Sequence, residues 1–476
     1  MNIFLIKAFQ LILCFSFLIV LHEGGHFFFA KLFKTRVEKF YMFFNPWFHL
    51  FSTKDKWFSK LFPKVAAGET EYGIGWIPLG GYVKISGMID ESMDTDQMKQ
   101  PVQPYEFRAK PVWQRFLIMI GGVLVNFLLA LIIYAMILFT WGSDSLPMKS
   151  ITNGFSYNEM AEAVGFRDGD IPVKADGKPI EEWNGTVYRT ISEAKTITVL
   201  RDGKEVTLNM PEEGLNLLEM INQEPRFLVA NVPAVIDTVL PETPASAAGI
   251  LSGARILAID NQPVTWWGDF DNIMGRKADI LATDCSHEDS VQLRSLTITF
   301  ANPEQLAAAT TSDSIASTTL TITLDEDYKI GFLKKSIFDS YKTEHHDYGF
   351  FASIPAGITY GWETLKGYVS DLKYIFTKQG AKSVGSFGTI GDLFPAAWNW
   401  QAFWNITAFI SIILAFMNII PIPGLDGGHV FFLLVEAVTR RPPSEKFMER
   451  AQMVGMILLF ALMGLAIFND VVKFLF

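Results

Sequence analysis

Apolar positions do not spread evenly along the chain. They gather in four stretches, at about 3–33, 114–141, 404–424 and 453–475, each close to the roughly 20 residues with which a helix crosses a bilayer. The first could pass for a secretion signal, but its start carries only Lys7, no small-residue cleavage site follows, and apolar residues resume after position 26. It reads as a retained span. The third ends in Pro421, Pro423 and Asp426, which predicts a helix broken within the membrane, where irregular backbone must line a cavity or be buried in protein.

A long polar block, 142–402, separates the second stretch from the third. Strand-like runs at 196–200 and 296–300 alternate there with Gly, Asp and Pro turns. Residues 161–170 and 245–254 resemble each other, and each run continues into a short apolar strand and a turn, at Asp176-Gly177 or Asp260-Asn261. This internal repeat predicts two small β-rich domains. The copies differ in that Gly253-Ala254 stands where the first has Gly169-Asp170, and the polar stretch 279–320 is long for such a domain. A Thr/Ser/Ala-rich patch at 307–319 reads as a loop. Beyond it Ile358, Trp362, Leu365, Val369, Leu372 and Phe376 recur at helical spacing, with polar residues between them. They predict an amphipathic helix, either lying on the outer membrane surface or packed on the outer domains.

Composition narrows the class. Hydrophobic residues make up 50% of the 476 and charged residues 19%, against about 25% charged in average soluble proteins, so disorder is excluded. The net charge of −10 excludes a nucleic-acid binder, which needs a basic surface. Divided by region, the charge also predicts orientation. Segment 31–115 holds 13 basic residues against 9 acidic, 438–452 holds 4 against 2, and 142–402 holds 21 against 35. By the positive-inside rule the two basic segments are cytoplasmic, and the acidic block and both termini lie outside. Two cysteines, Cys14 and Cys285, exclude a disulfide framework and a thiolate metal cage.

The first apolar stretch contains His22-Glu23-Gly24-Gly25-His26. Ionisable groups at that depth are costly and signal function. On a helix, residues four apart share a face, so two imidazoles can address one ion while Glu23 stands beside them to accept a proton from water. Zinc suits this pattern as a Lewis acid that lowers the pKa of water. A third protein ligand is required. The candidates are His49, His287, His345, His346, His429 and Asp426, of which Asp426, an acid beside a broken span, is the strongest. His429, three residues further on, remains a rival. Beyond Lys7, Gln10 and Asn126 the spans carry few other polar groups, which argues against a metal transporter.

The run from Asn418 to Gly428 follows an N-x-x-P-x-P-x-L-D-G pattern. Paired with the early H-E-x-x-H and the tandem outer repeat, it resembles the bacterial site-2 proteases, in their sigma-E-regulating branch, over nearly the whole chain. The resemblance implies a polytopic α-helical membrane protein with four transmembrane helices, one reentrant β-loop and two periplasmic PDZ-like α+β domains. The implied segments are helix 1 at 1–35, a cytoplasmic segment at 36–113 with the reentrant loop at about 70–88, and helix 2 at 114–141. The PDZ-like domains follow at 150–230 and 231–333, then a membrane-surface segment at 350–402, broken helix 3 at 403–428 and helix 4 at 453–475.

The same resemblance implies one zinc ion per chain held by His22, His26 and Asp426, with Glu23 as general base. It implies that Asn418 contacts the substrate backbone and that the loop with Gly80 and Gly81 receives substrate as an extended strand. It also places Asn126 at the substrate cleft, although Val123 stands where the family has proline after Gly121-Gly122. The implied setting is a bacterial inner membrane, with the zinc site within the bilayer toward the cytoplasmic side. The implied substrates are single-span proteins already cut by another protease, such as anti-sigma factors or signal-peptide remnants, and a monomer is expected. The competing reading is a catalytically silent receptor that binds peptides through its PDZ-like domains.

Overall fold

The computed structural model describes residues 3–78, 80–88, 100–282, 293–309, 315–324, 329–375, 377, 380 and 384–475. Leu79, Cys285, His287 and Phe376 lie outside the described residues. The chain divides into two compact units, Met1–Gly142 with Asp347–Phe476, and Ser143–His346.

Among the described residues, the first unit holds four helices long and apolar enough to cross a membrane. They are α1 (Ile3–Leu32), α4 (Val112–Trp141), α6 (Trp400–Ile419) and α8 (Glu445–Leu475). Their limits fall within a few residues of the predicted stretches, except that α8 begins earlier and the third span ends at Ile419. On α1 the buried positions are Gln10, Cys14, Leu18, Gly25, His26 and Ala30. Their spacing puts them on one stripe, so the histidine motif rides on the face that meets the bundle. α1 and α4 cross in backbone contact, since a Cβ on Gly25 would meet Gly122 Cα at 2.9 Å and one on Gly121 would meet the Gly25 carbonyl oxygen at 2.7 Å. Small residues at a crossing are how membrane helices approach closely.

α6 packs on α4, with Ala408 and Ile412 joining Ala130, Ile133 and Tyr134 in one cluster. It stops at Ile420 because Pro421 and Pro423 cannot extend the hydrogen-bond ladder. The chain then runs irregularly to α7 (Asp426–Thr439). Of the two settings expected for this break, it takes the first in part: Gly424 and Leu425 line a cavity, Pro421 is exposed and the rest is half-buried, with Gly455 of α8 leaving no room for a Cβ beside Pro423. On α1, Lys7 Nζ lies 2.8 Å from Asp392 Oδ1, and Gln10 Nε2 donates to the Pro395 carbonyl at 2.9 Å while its Oε1 is buried without a partner.

The amphipathic helix forms as α5 (Phe350–Ile375) and packs on α4. Its seam is a stripe of small residues, Ser353, Gly357 and Gly361, with Gly361 against Leu131. Of the apolar positions read from the sequence, Leu365 joins the α4–α6 cluster while Ile358, Trp362 and Val369 stay exposed.

After α1 comes a four-stranded sheet of β1 (Val37–Tyr41), β2 (Phe51–Ser52), β3 (Glu71–Ile74) and β4 (Tyr82–Ile85), in the order β2-β3-β1-β4. β1 is parallel to β3 and antiparallel to β4. Two short helices, α2 (Lys56–Leu61) and α3 (Pro63–Ala66), stand between β2 and β3.

The second unit contains the repeat. One sheet runs in the order 204–209, 196–201, 171–175, 178–179, and the other in the matching order 318–323, 295–301, 255–259, 262–263. Both carry a register shift at the same place, between Pro172 and Lys174 and between Ile256 and Ala258. The turn aspartates behave alike: Asp176 accepts from the Thr196 amide at 2.9 Å and Asp260 from the Thr297 amide at 2.8 Å. Two hydrophobic cores, one around Phe155, Phe166 and Phe227 and the other around Ile256, Ile298 and Phe300, support the two halves. Ser143–Ser145 pairs with Glu344–His346, so the unit extends beyond 150–333 at both ends. The patch read as a loop at 307–319 begins in a helix (Pro303–Ala308) and ends in a strand from Thr318, and 310–314 lies outside the described residues.

Candidate metal centre

Three elements converge on the buried motif. α1 supplies His22 and His26, α7 supplies Asp426 as its first residue, and α4 covers the rings. Asp426 Oδ2 lies 3.1 Å from His22 Nε2 and 3.3 Å from His26 Nε2, and the two Nε2 atoms are 3.3 Å apart. These are the His, Cys, Asp and Glu side chains that could share a metal among the described residues.

The surroundings fit a cation. Asp426 Oδ2 is buried without a hydrogen-bond donor while facing two ring nitrogens. His26 Nδ1 donates to the Ile118 carbonyl at 2.8 Å, which leaves the Nε2 lone pair free for a metal. His22 Nδ1 faces Asn126 Nδ2 at 3.2 Å. Gly122 cradles the pair, since a Cβ there would stand 2.5 Å from His26 Nε2 and 2.7 Å from His22 Cε1. Two imidazoles, one carboxylate and open space beside them match the donor set of a catalytic zinc site.

The centre opens on a cavity of about 820 Å³ lined by Glu23, Asn418, Gly80, Gly81 and Asn126, so every site residue read from the sequence is brought to one place. Val83 of β4 lines the same cavity as Glu23. Gly80 and Gly81 lie tightly against the sheet, where a Cβ would meet the Phe44 ring at 2.5 Å or the Tyr41 carbonyl at 2.7 Å. Asn126 is wholly buried, and the Ser411 hydroxyl donates to its backbone carbonyl at 2.8 Å.

The rival histidines separate from the centre. His429 lines the cavity but stands outside the ligand group. His49 is 2.9 Å from Asp55 Oδ1 and its hydrogen bond holds that carboxyl below its ordinary pKa, while His345 is 2.7 Å from Asp144. The residues that sequence reasoning missed are Gly122, the Ile118 carbonyl and Ser411. Only Gly122 leaves a signal, as the second Gly-Gly pair in an apolar span.

Comparison with known proteins agrees with this geometry. The profile of peptidase family M50 matches residues 10–462. The chain is 27% identical over 485 residues to "Regulator of sigma-E protease RseP" of Escherichia coli (strain K12), covering 95% of each chain. It is 28% identical over 480 residues to "Protease RseP" of Yersinia pestis, covering 96% of this chain and 97% of the relative. A "Putative zinc metalloprotease" of Xylella fastidiosa (strain Temecula1 / ATCC 700964) is 27% identical over 486 residues, 99% of each chain. With a metal-ready triad on membrane-length helices and a family profile over nearly all its length, the chain belongs to peptidase family M50 and is a zinc metalloprotease.

Proposed function

We propose that the protein cleaves single-span membrane proteins within the bilayer. The carrying observation is the convergence of His22, His26 and Asp426 beside Glu23 in a cavity among membrane-length helices. His22, His26 and Asp426 would hold one zinc ion. Zinc there supplies Lewis acidity that activates water for attack on a peptide bond. Glu23 accepts the proton at its carboxylate and returns it to the leaving amine.

A peptide bond inside a transmembrane helix is shielded by its own hydrogen bonds, so the substrate must unwind before it can react. β4 is an edge strand, and Gly80 to Ile85 face the cavity. Its open backbone groups can pair with an unwound segment and lay it across Glu23. Asn418, which lines the same cavity, would hold the substrate backbone. Relatives bear the name of sigma-E regulators, which supports anti-sigma factors as the substrate class, delivered after a first cut outside the membrane. This reading includes a bacterial inner membrane, PDZ-like outer repeats that filter substrates by size, and a monomer.

Glu23→Gln is expected to abolish cleavage of a co-expressed tagged single-span substrate while the purified protein keeps one zinc per chain by elemental analysis. Asp426→Ala is expected to lose both. Wild-type cleavage by Glu23→Gln would leave the silent-receptor reading in its place.

A further inference from the structure

The segment between β1 and β3 carries an aromatic and basic surface that the metal centre does not use. Its depth follows from how the sheet lies along α1. The Thr35 amide, just before β1, donates to the Ala30 carbonyl at 2.8 Å. At the other end of β1, Gly81 sits against both the Tyr41 carbonyl and Ile19. Ala30 and Ile19 are about 16 Å apart along a helix axis, so β1 runs back along α1 into the span. β3 is parallel to β1, which puts 42–50 and 75–78 at the deep end. β2 runs the other way, antiparallel to β3, and delivers α2 and α3 to the shallow end, where Lys54 Nζ ties them by donating to the Ala66 and Gly68 carbonyls at 2.6 and 2.8 Å.

The chemistry changes along that axis. At the deep end Trp47 and Phe48 stack on Trp76, with ring centroids 6.2 and 5.2 Å away, and no Asp, Glu, Lys or Arg occurs from 42 to 53. Trp47 is 90% exposed. At the shallow end Phe58 turns inward onto Phe51, while Trp57, Leu61, Phe62 and Val65 are exposed beside the exposed Lys56, Lys60 and Lys64. The one acid between 39 and 68, Asp55, is engaged by His49 and the Ser52 amide. Apolar surface of this density is a liability in water. Tryptophan beside lysine, next to a purely apolar zone, is the pattern of a membrane interface.

We propose that α2 and α3 form an interfacial anchor, with Trp57 and Leu61 entering the headgroup–acyl boundary and Lys56, Lys60 and Lys64 binding anionic phospholipid headgroups. The anchor holds the sheet, and with it β4, at the depth of Glu23. The inference rests on the reading of α1 and α8 as membrane spans.

Nitroxides at Trp57→Cys and Leu61→Cys test it, in the full chain carrying Cys14→Ala and Cys285→Ser, reconstituted in phosphatidylcholine vesicles with about a third phosphatidylglycerol. Reference labels replace Ile457 on α8 and Lys178 in the second unit, both exposed. Power saturation with oxygen and a nickel chelate is expected to group positions 57 and 61 with 457. If they group with 178 while 457 stays in lipid, the anchor is overturned and the spans stand. If 457 itself is open to the chelate, the span reading fails and the anchor with it. Shielding of 57 and 61 from both reagents would assign the surface to a protein partner and also overturn the anchor. The label at 57 is expected to move toward water when phosphatidylglycerol is omitted, and Lys56→Gln/Lys60→Gln/Lys64→Gln is expected to remove that response. A triple variant that still responds overturns the headgroup assignment.

Discussion

The two histidines of the motif are held differently. His26 is oriented by a backbone carbonyl that no side-chain substitution can remove, whereas His22 depends on the Asn126 carboxamide, whose Oδ1 is buried without a partner. A ligand that binds metal through Nε2 carries its proton on Nδ1, so turning the amide by half a turn would give that proton an acceptor and leave Asn126 fully used. Asn126→Leu, close in size, is therefore expected to weaken zinc binding by about 10- to 100-fold, the usual cost of losing such a partner. Competition with a fluorescent chelator measures it, and unchanged affinity would assign Asn126 to the cleft wall alone. The ligand types and Glu23 were legible in the sequence because a helical period relates positions 22, 23 and 26. The Asn126 contact was not, because it depends on how α4 crosses α1.

At the level of elements, the two repeats solve one packing problem in two ways. In the first, Asp170 is 1% exposed and forms a bidentate pair with Arg201, at 2.8 and 2.7 Å, while the same guanidinium donates to the Gly165 carbonyl at 2.8 Å. In the second, Ala254 and Asn302 hold the equivalent places, and Asn302 alone donates to the Gly249 carbonyl at 3.1 Å and accepts from the Leu251 amide at 3.0 Å. Removing one member of a buried pair strands its partner and costs about 3 kcal/mol, whereas replacing both is nearly neutral. Asp170→Ala is expected to speed amide exchange in strands 171–175 and 196–201, and Asp170→Ala/Arg201→Asn to restore most of the protection. Equal exchange in the two variants would remove the pair from the stability of this half. The repeat was legible from the likeness of 161–170 to 245–254 and from the aspartate turns that follow each, all of them local features. The pairing of Ser143–Ser145 with Glu344–His346 was not, since residues about 200 apart leave no shared period.

For the whole molecule, the metal centre joins the start of the chain to its end: His22 and His26 meet Asp426 across some 400 residues of sequence. A ligand that binds only the folded site stabilises it, by about 4 kcal/mol at a thousand times its dissociation constant. Chelation is therefore expected to lower the melting temperature of the unit formed by Met1–Gly142 and Asp347–Phe476 and to leave Ser143–His346 unchanged. Hydrogen exchange read separately on the two units checks this. Equal loosening of both would show that the ion supports the whole chain rather than one unit.

The spans, the broken third helix, the repeat and the two histidines of the motif could be read from the sequence because each is carried by composition or a short period. Hydrophobic length and helical spacing act locally, and proline and glycine act at their own positions. Only the tertiary structure decided that Gly25, Gly121 and Gly122 bring two helices into backbone contact, that β4 is the edge strand facing Glu23, and that Asp426 rather than His429 completes the triad. It alone placed an aromatic and lysine-rich pair of helices at the end of the sheet where β3 begins. These features depend on which surfaces meet, and meeting is set by packing among segments far apart in the chain, where no local pattern can encode a distance.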